Sequence, residues 1–299
     1  MLVRPLPLLN FFVVLVMLSI GLRVSGGELL DVLRNRALVI KTLVANCILI
    51  PAIGFLLVKI FPLTSDASLG ILLLAAIPGT PIALQFTRMA KPRLAFAAVM
   101  IFLLSVASIV ITPLAVEVMP QTAQRSERPI LNLTLSILFY IAAPLWSGLW
   151  IARHAPRIAL RLVPPLSILA TVVFFFLMWE TRLARREALH AIAGRETILA
   201  MFLLLALSML IGWFIGGPDS ESRRVLATST GMRSVIVVLY VARYCFPGSN
   251  IYMVPIVYLS LMVPSNVVFH LAFTGWQKLR PTGMRPRTTH RSFPGRGFG

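Results

Sequence analysis

Ala227-Thr-Ser-Thr-Gly-Met-Arg-Ser234 is a polar run inside an otherwise apolar segment from Val225 to Ala242. Arginine at mid-membrane depth costs about 2.5–3.5 kcal/mol on insertion scales, so Arg233 must face protein or water rather than lipid. Thr228, Ser229, Thr230 and Ser234 supply hydroxyls around it, and Gly231 lets the helix unwind. Irregular backbone at membrane depth is tolerated only where it lines a cavity or is buried in protein. A second break, Ile77-Pro-Gly-Thr-Pro-Ile82, stands in another apolar segment in the first half of the chain. Pro78 and Pro81 flank Gly79 and remove two ladder donors within one turn, which predicts two half-helices meeting there. Two interrupted helices at corresponding places in two halves point to the substrate site of a transporter.

Working outward, the composition agrees. The 299 residues are 58% hydrophobic and only 13% charged, outside the range of soluble domains. The expected fold is an all-α polytopic membrane protein. Nine segments are long and apolar enough to span: Leu6–Leu22, Ala37–Ile60, Ser68–Thr87, Leu94–Val116, Pro129–Ala152, Leu162–Trp179, Thr197–Gly217, Val225–Cys245 and Ile251–Trp276. Arg4 before an apolar core and the small residues Ser25-Gly26-Gly27 imitate a secretory leader, but eight further spans follow, so no cleavage is expected after Ser25 or Gly26.

The net charge is +18, yet the basic residues sit almost wholly between apolar runs, which is a topology signal rather than a nucleic-acid footprint. With the N-terminus outside, the larger share of Lys and Arg falls on the cytoplasmic side, including Arg34, Arg36, Arg153, Arg157, Arg223 and Arg224. The expected orientation is N-terminus out, C-terminus in, although the outer stretch Glu180–Glu196 is also arginine-rich. Met119–Glu127 is the boundary between halves, giving residues 1–128 with four spans, 129–276 with five, and a basic tail at 277–299 that can touch anionic lipid heads.

No enzyme constellation is present: the sequence has no HExxH, GxSxG or phosphate loop, and all ten Asp and Glu lie in loops or at span ends. Cys47 and Cys245 form no disulfide framework or zinc site, and no cofactor or metal is implied. His270 is a lone intramembrane histidine, read as one satisfied by a neighbouring helix. Lys41 lies one turn inside the second span and can snorkel to the interface, whereas Asn46 and Arg233 have no such escape. The candidate substrate-binding residues are therefore Arg233, Asn46, Thr80, Ser229, Thr230 and Asn266, with Pro78, Gly79, Pro81 and Gly231 as the helix breaks.

The order of these features resembles the bile acid:sodium symporter family. The resemblance is carried by Ala45-Asn46 before Pro51, Leu72-Leu-Leu-Ala-Ala-Ile-Pro-Gly-Thr-Pro81, Ala90-Lys-Pro-Arg-Leu-Ala95, Ile111-Thr-Pro113 and Ser229-Thr-Gly-Met-Arg233, and runs from about Leu9 to Trp276. It implies inverted repeats with two discontinuous helices crossing at mid-membrane, a sodium/proton antiporter-like fold with the first helix missing. It also implies a core of spans two to four and seven to nine, moving against a panel of spans one, five and six.

The family's sodium ligands do not carry over. In an ungapped reading from Pro78-Gly79, its Ser-Asn pair falls on Ala83 and Leu84, their Thr-Ser partners on Ile101 and Phe102, its glutamate on Ser229, and the glutamine after Gly-Met on Arg233. One glutamine of the preceding helix meets a related residue, Asn46. The resulting expectation is a secondary transporter of a small organic anion across the inner membrane, independent of sodium. The alternatives are a proton-coupled or exchange carrier of another solute, or a non-transporting sensor with the same fold. Nothing in the sequence specifies an oligomeric state.

Overall fold

The computed structural model describes residues 6–24, 26–79, 94–119, 130–184, 192, 194–247 and 249–279, and among them every regular element is helical. Seven helices are long and apolar enough to cross a membrane, and two shorter apolar ones, Pro7–Gly21 and Ser65–Ala76, accompany them. This is a multi-pass membrane protein. The helices in chain order are α1 (Leu6–Gly21), α2 (Gly26–Arg34), α3 (Arg36–Val44), α4 (Ile50–Ile60) and α5 (Ser65–Ala76). Then come α6 (Leu94–Val118), α7 (Ile130–Ile137), α8 (Ala143–His154), α9 (Pro156–Ala184), α10 (Arg195–Ile215), α11 (Ser220–Gly231), α12 (Val235–Cys245) and α13 (Met253–Leu279).

Local chemistry sets several of these boundaries. Asn35, Thr64 and Asp219 cap α3, α5 and α11 by accepting from the backbone N–H of Leu38, Ala67 and Ser222. Single π-turns, Ala45–Leu49 and Leu138–Ala142, join α3 to α4 and α7 to α8, and each lies just ahead of a proline, Pro51 and Pro144. A helical proline donates no hydrogen bond and its ring presses on the carbonyl four residues back; the wider π-turn makes room for it. The first π-turn has a further effect. Ile50 N–H bonds Ala45 O, and Pro51 has no N–H, so the carbonyl of Asn46 is left without a helical donor.

Packing separates two groups of helices. Helix α1 lies against α8 and α9. Gly21 and Gly148 meet where α1 and α8 touch, and a Cβ on either would strike the backbone of the other helix. Helices α10, α11 and α13 pack together, with α4, α5 and α6 against them. Gly212 of α10 sits directly on the backbone of Leu226 and Ala227 in α11.

The interrupted span Ser220–Cys245 runs through the centre. Its most apolar window is 100% buried, against 17–50% for the other six, so it has no lipid-facing side. Helix α9 is the opposite case, showing Ile168, Val172, Phe175, Phe176 and Trp179 to the outside. Arg224, read from the sequence as a loop residue, lies inside α11 and is only 5% exposed, because the helix starts at Ser220 under the Asp219 cap rather than at the first apolar residue. Lys41 is exposed, in keeping with its snorkelling position.

Candidate functional site

Helix α5 has 12 residues, or about 18 Å at 1.5 Å per residue, well short of a hydrocarbon core of about 30 Å. It ends at Ala76 in Ile77-Pro78-Gly79, where Ile77 is extended and Gly79 has φ +80°. A left-handed backbone there is natural for glycine and costs other L-residues about 1–2 kcal/mol. Thr80 and Pro81 lie outside the described residues, as do Gln85, Thr87, Ala83 and Leu84. Helix α11 likewise stops at Gly231, and α12 starts at Val235. The end of α5 touches the break between α11 and α12, Ser234 N–H donating to Ile77 O at 3.4 Å.

A helix that stops at membrane depth presents carbonyls with no partner and a partial negative charge at its C-terminus. Arg233 meets both needs of α5. Its Nε donates to Leu74 O at 2.9 Å and its Nη2 to Ala75 O. Its Nη1 donates to Asn46 Oδ1 at 2.9 Å, while Nη2 also reaches Asn46 O at 3.4 Å. That second oxygen is the carbonyl orphaned by Pro51 and the π-turn. The guanidinium is fully buried, and four of its five N–H donors are used on three backbone carbonyls, from two separate stretches of chain, and one side-chain amide. No carboxylate forms an ion pair with it among the described residues.

Asn46 is saturated in turn: its Nδ2 donates to Thr42 O at 2.9 Å and to Thr230 Oγ1 at 3.3 Å. Tyr258 of α13 donates to Gly231 O at 2.8 Å, taking one of the last carbonyls of α11. Beside this network stands Ser234, fully buried at the N-terminus of α12, with a hydroxyl that has no hydrogen-bond partner among the described residues.

Of the residues expected from the sequence, Arg233, Asn46 and Thr230 therefore come together. Ser229 and Asn266 are buried but turn to their own helices. Ser229 bonds Leu226 O at 3.4 Å; Asn266 Nδ2 bonds Met262 O at 2.9 Å, and its Oδ1 has no partner. The polar run is buried in protein. Which carbonyls Arg233 bonds, those of Leu74, Ala75 and Asn46, the sequence did not specify. Only the pairing of a proline with its upstream π-turn could have marked the last of them.

With this geometry in view, the comparison with known proteins is informative. Residues 10–185 match the sequence profile of the Sodium Bile acid symporter family. The chain belongs to that family. Its family is one of transporters, and its members include proteins to which this chain is similar over most of its length. A probable sodium/metabolite cotransporter BASS5, chloroplastic, from Oryza sativa subsp. indica is 24% identical over 258 residues, 82% of this chain and 64% of that protein. A probable sodium/metabolite cotransporter BASS6, chloroplastic, from Arabidopsis thaliana is 22% identical over 274 residues, 88% of this chain and 66% of that protein. This symporter-family chain thus spans just under two thirds of the length of these relatives.

Proposed function

We propose that this chain is a secondary transporter of a small organic anion that works without sodium, with Arg233 as a fixed cation where the two broken helices cross. The observation that carries this reading is the buried guanidinium shared among Leu74 O, Ala75 O and both oxygens of Asn46. It already supplies positive charge to oxygens of the kind that a bound cation would collect. Positions matching the family's sodium ligands support it. Ile101 and Phe102 are buried apolar residues, and the Ser229 hydroxyl bonds its own helix. Sodium requires several hard oxygen ligands, preferably with a carboxylate, and this set does not supply them.

A positive guanidinium, the amide end of α12 and the unpartnered Ser234 hydroxyl favour an anion at the crossing. Arg233, Asn46, Thr80, Ser229, Thr230 and Asn266 are the residues we assign to its surroundings. In each half, a long helix, a short one that stops early (α5 or α11) and a second long helix follow in order. This supports an architecture of nine spans in two inverted repeats, residues 1–128 and 129–276. The assigned location is the inner membrane, with the N-terminus outside and tail 277–299 in the cytoplasm.

Uptake of labelled carboxylates and sulfonates into vesicles tests the reading. Replacing sodium by choline should leave uptake nearly unchanged, and a steep, saturable sodium dependence would overturn sodium independence. Retained binding with silence across the whole panel would instead indicate a sensor.

A further inference from the structure

A second polar cluster is buried farther along α11, apart from Arg233. Arg224 Nη2 lies 3.0 Å from His270 Nδ1, and Thr228 Oγ1 lies 3.0 Å from His270 Nε2. His270 is fully buried on α13, Thr228 is fully buried, and Arg224 is 5% exposed. Arginine can only donate, so Nδ1 must carry the lone pair. The neutral ring therefore holds its proton on Nε2 and donates it to Thr228. Among the described residues Arg224 Nε has no hydrogen-bond partner, and its guanidinium rests 4.5 Å from the ring centre of Phe273.

We propose that His270 is a proton-binding site of this carrier, at which a proton and the Arg224 guanidinium compete for the same Nδ1 lone pair. The step is balanced. A proton from water at the membrane face where α11 begins adds to Nδ1, the Arg224 Nη2–H···Nδ1 hydrogen bond breaks, and Nε2–H stays on Thr228. An imidazolium and a guanidinium cannot remain in N–H to N–H contact in a buried site, so Arg224 must move away. Glu221, one helical turn ahead of Arg224 on α11, offers an anionic partner at that face.

The charged and titratable groups around His270 are few. Helix α11 brings Arg224, with Arg223 and Glu221 beyond it. On α10, Arg195 and Glu196 sit at the opposite end of the helix. Helix α5 brings Asp66, and α12 brings Tyr240, Arg243, Tyr244 and Cys245, all toward that opposite end. On α13 itself Tyr258 is three turns away, at the crossing, and Lys278 lies two turns beyond. Among the described residues, no carboxylate hydrogen-bonds to His270, whose ring partners are Arg224 and Thr228.

The consequence reaches the anion site through shared helices. Tyr258, Met262, Asn266 and His270 follow at four-residue steps on α13, and the two ends of that row hold α11, at Gly231 O and at Arg224 with Thr228. Protonation loosens one end of the contact, where only the Thr228 bond remains, while the other stays tied to the break. This inference rests on the reading of the chain as an anion carrier, since it makes the proton the coupling ion.

The test uses the full chain in lipid nanodiscs with isotope-labelled histidine. Wild type should show one histidine resonance, absent in His270→Asn, that titrates while the protein stays folded. His270→Asn preserves an acceptor for Arg224 but cannot take a proton. In Arg224→Gln, which removes the competing cation, the midpoint should rise by about one to three pH units. A His270 resonance that never titrates before unfolding, or a midpoint unmoved in Arg224→Gln, overturns the proposal. Vesicle uptake of the carboxylate panel separates the two readings. Stimulation by an inward proton gradient in wild type, lost in His270→Asn, supports coupling, and gradient-indifferent uptake in wild type overturns it. Silence in every variant, with the titration and its shift intact, leaves the proton site standing and removes the carrier.

Discussion

Arg233 holds its place through geometry more than through charge alone. A guanidinium is planar and offers donors in a fixed fork, so one side chain can serve the end of α5 and the π-turn before α4 together. Lysine keeps the charge as a single point and cannot span these acceptors. Arg233→Lys is expected to fold, with anion affinity weakened by roughly 1–3 kcal/mol, as read from substrate titrations. Arg233→Ala leaves the carbonyls of Leu74, Ala75 and Asn46 buried and unpaired at about 1–3 kcal/mol each, so it should lower expression and the unfolding temperature in detergent sharply. A stable Arg233→Ala protein with unchanged affinity would remove Arg233 from both roles. Asn46→Leu should show the smaller version of the same defect, since Thr230 and Arg233 each lose one partner.

At the scale of the elements, two glycines separate the scaffold from the site. Gly148 lets α8 lie on the backbone of α1 near Gly21. Gly148→Val should cost about 1–3 kcal/mol through forced separation of these helices, seen as a lower melting temperature, while anion affinity in the surviving protein stays near wild type. Gly79 acts differently. Its φ of +80° turns the chain just beyond the end of α5 at Ala76, close to the carbonyls that Arg233 meets, and a Cβ there would stand 3.0 Å from the backbone of Leu104. Gly79→Ala combines a backbone penalty of about 1–2 kcal/mol with pressure on α6, so affinity should fall together with stability. Equal loss of affinity in both variants would break this distinction.

For the whole molecule, the burial of Ser220–Cys245 explains how so polar a span is tolerated in a membrane: its neighbours, not lipid, are its solvent. The positive-inside bias supplies the expected orientation, N-terminus outside and C-terminus inside. Reporter fusions at Gly299 and near Ala123 check it, and an outside C-terminus would remove the first span from the proposed architecture.

Composition and apolar run lengths alone determined that the chain is a bundle of membrane helices, because the bilayer sets both the length and the polarity of a span. The stops of α5 ahead of Pro78-Gly79 and of α11 at Gly231 follow from proline and glycine, which act on the backbone locally, wherever the helix packs. Asn46 and Arg233 stood out because no lipid-facing position suits them. Which oxygens they touch was not legible, since Arg233 bonds mostly to carbonyls, which every residue carries and which become available only where Ala76 ends a helix and Pro51 widens one. The sequence placed Arg224 in a loop and had His270 satisfied by a neighbouring helix without saying which. Their contact, with Thr228 completing it, arises from the packing of α11 against α13 across an interval of 46 residues. Hydrogen bonds between distant segments depend on how helices pack, and only the tertiary structure decides that.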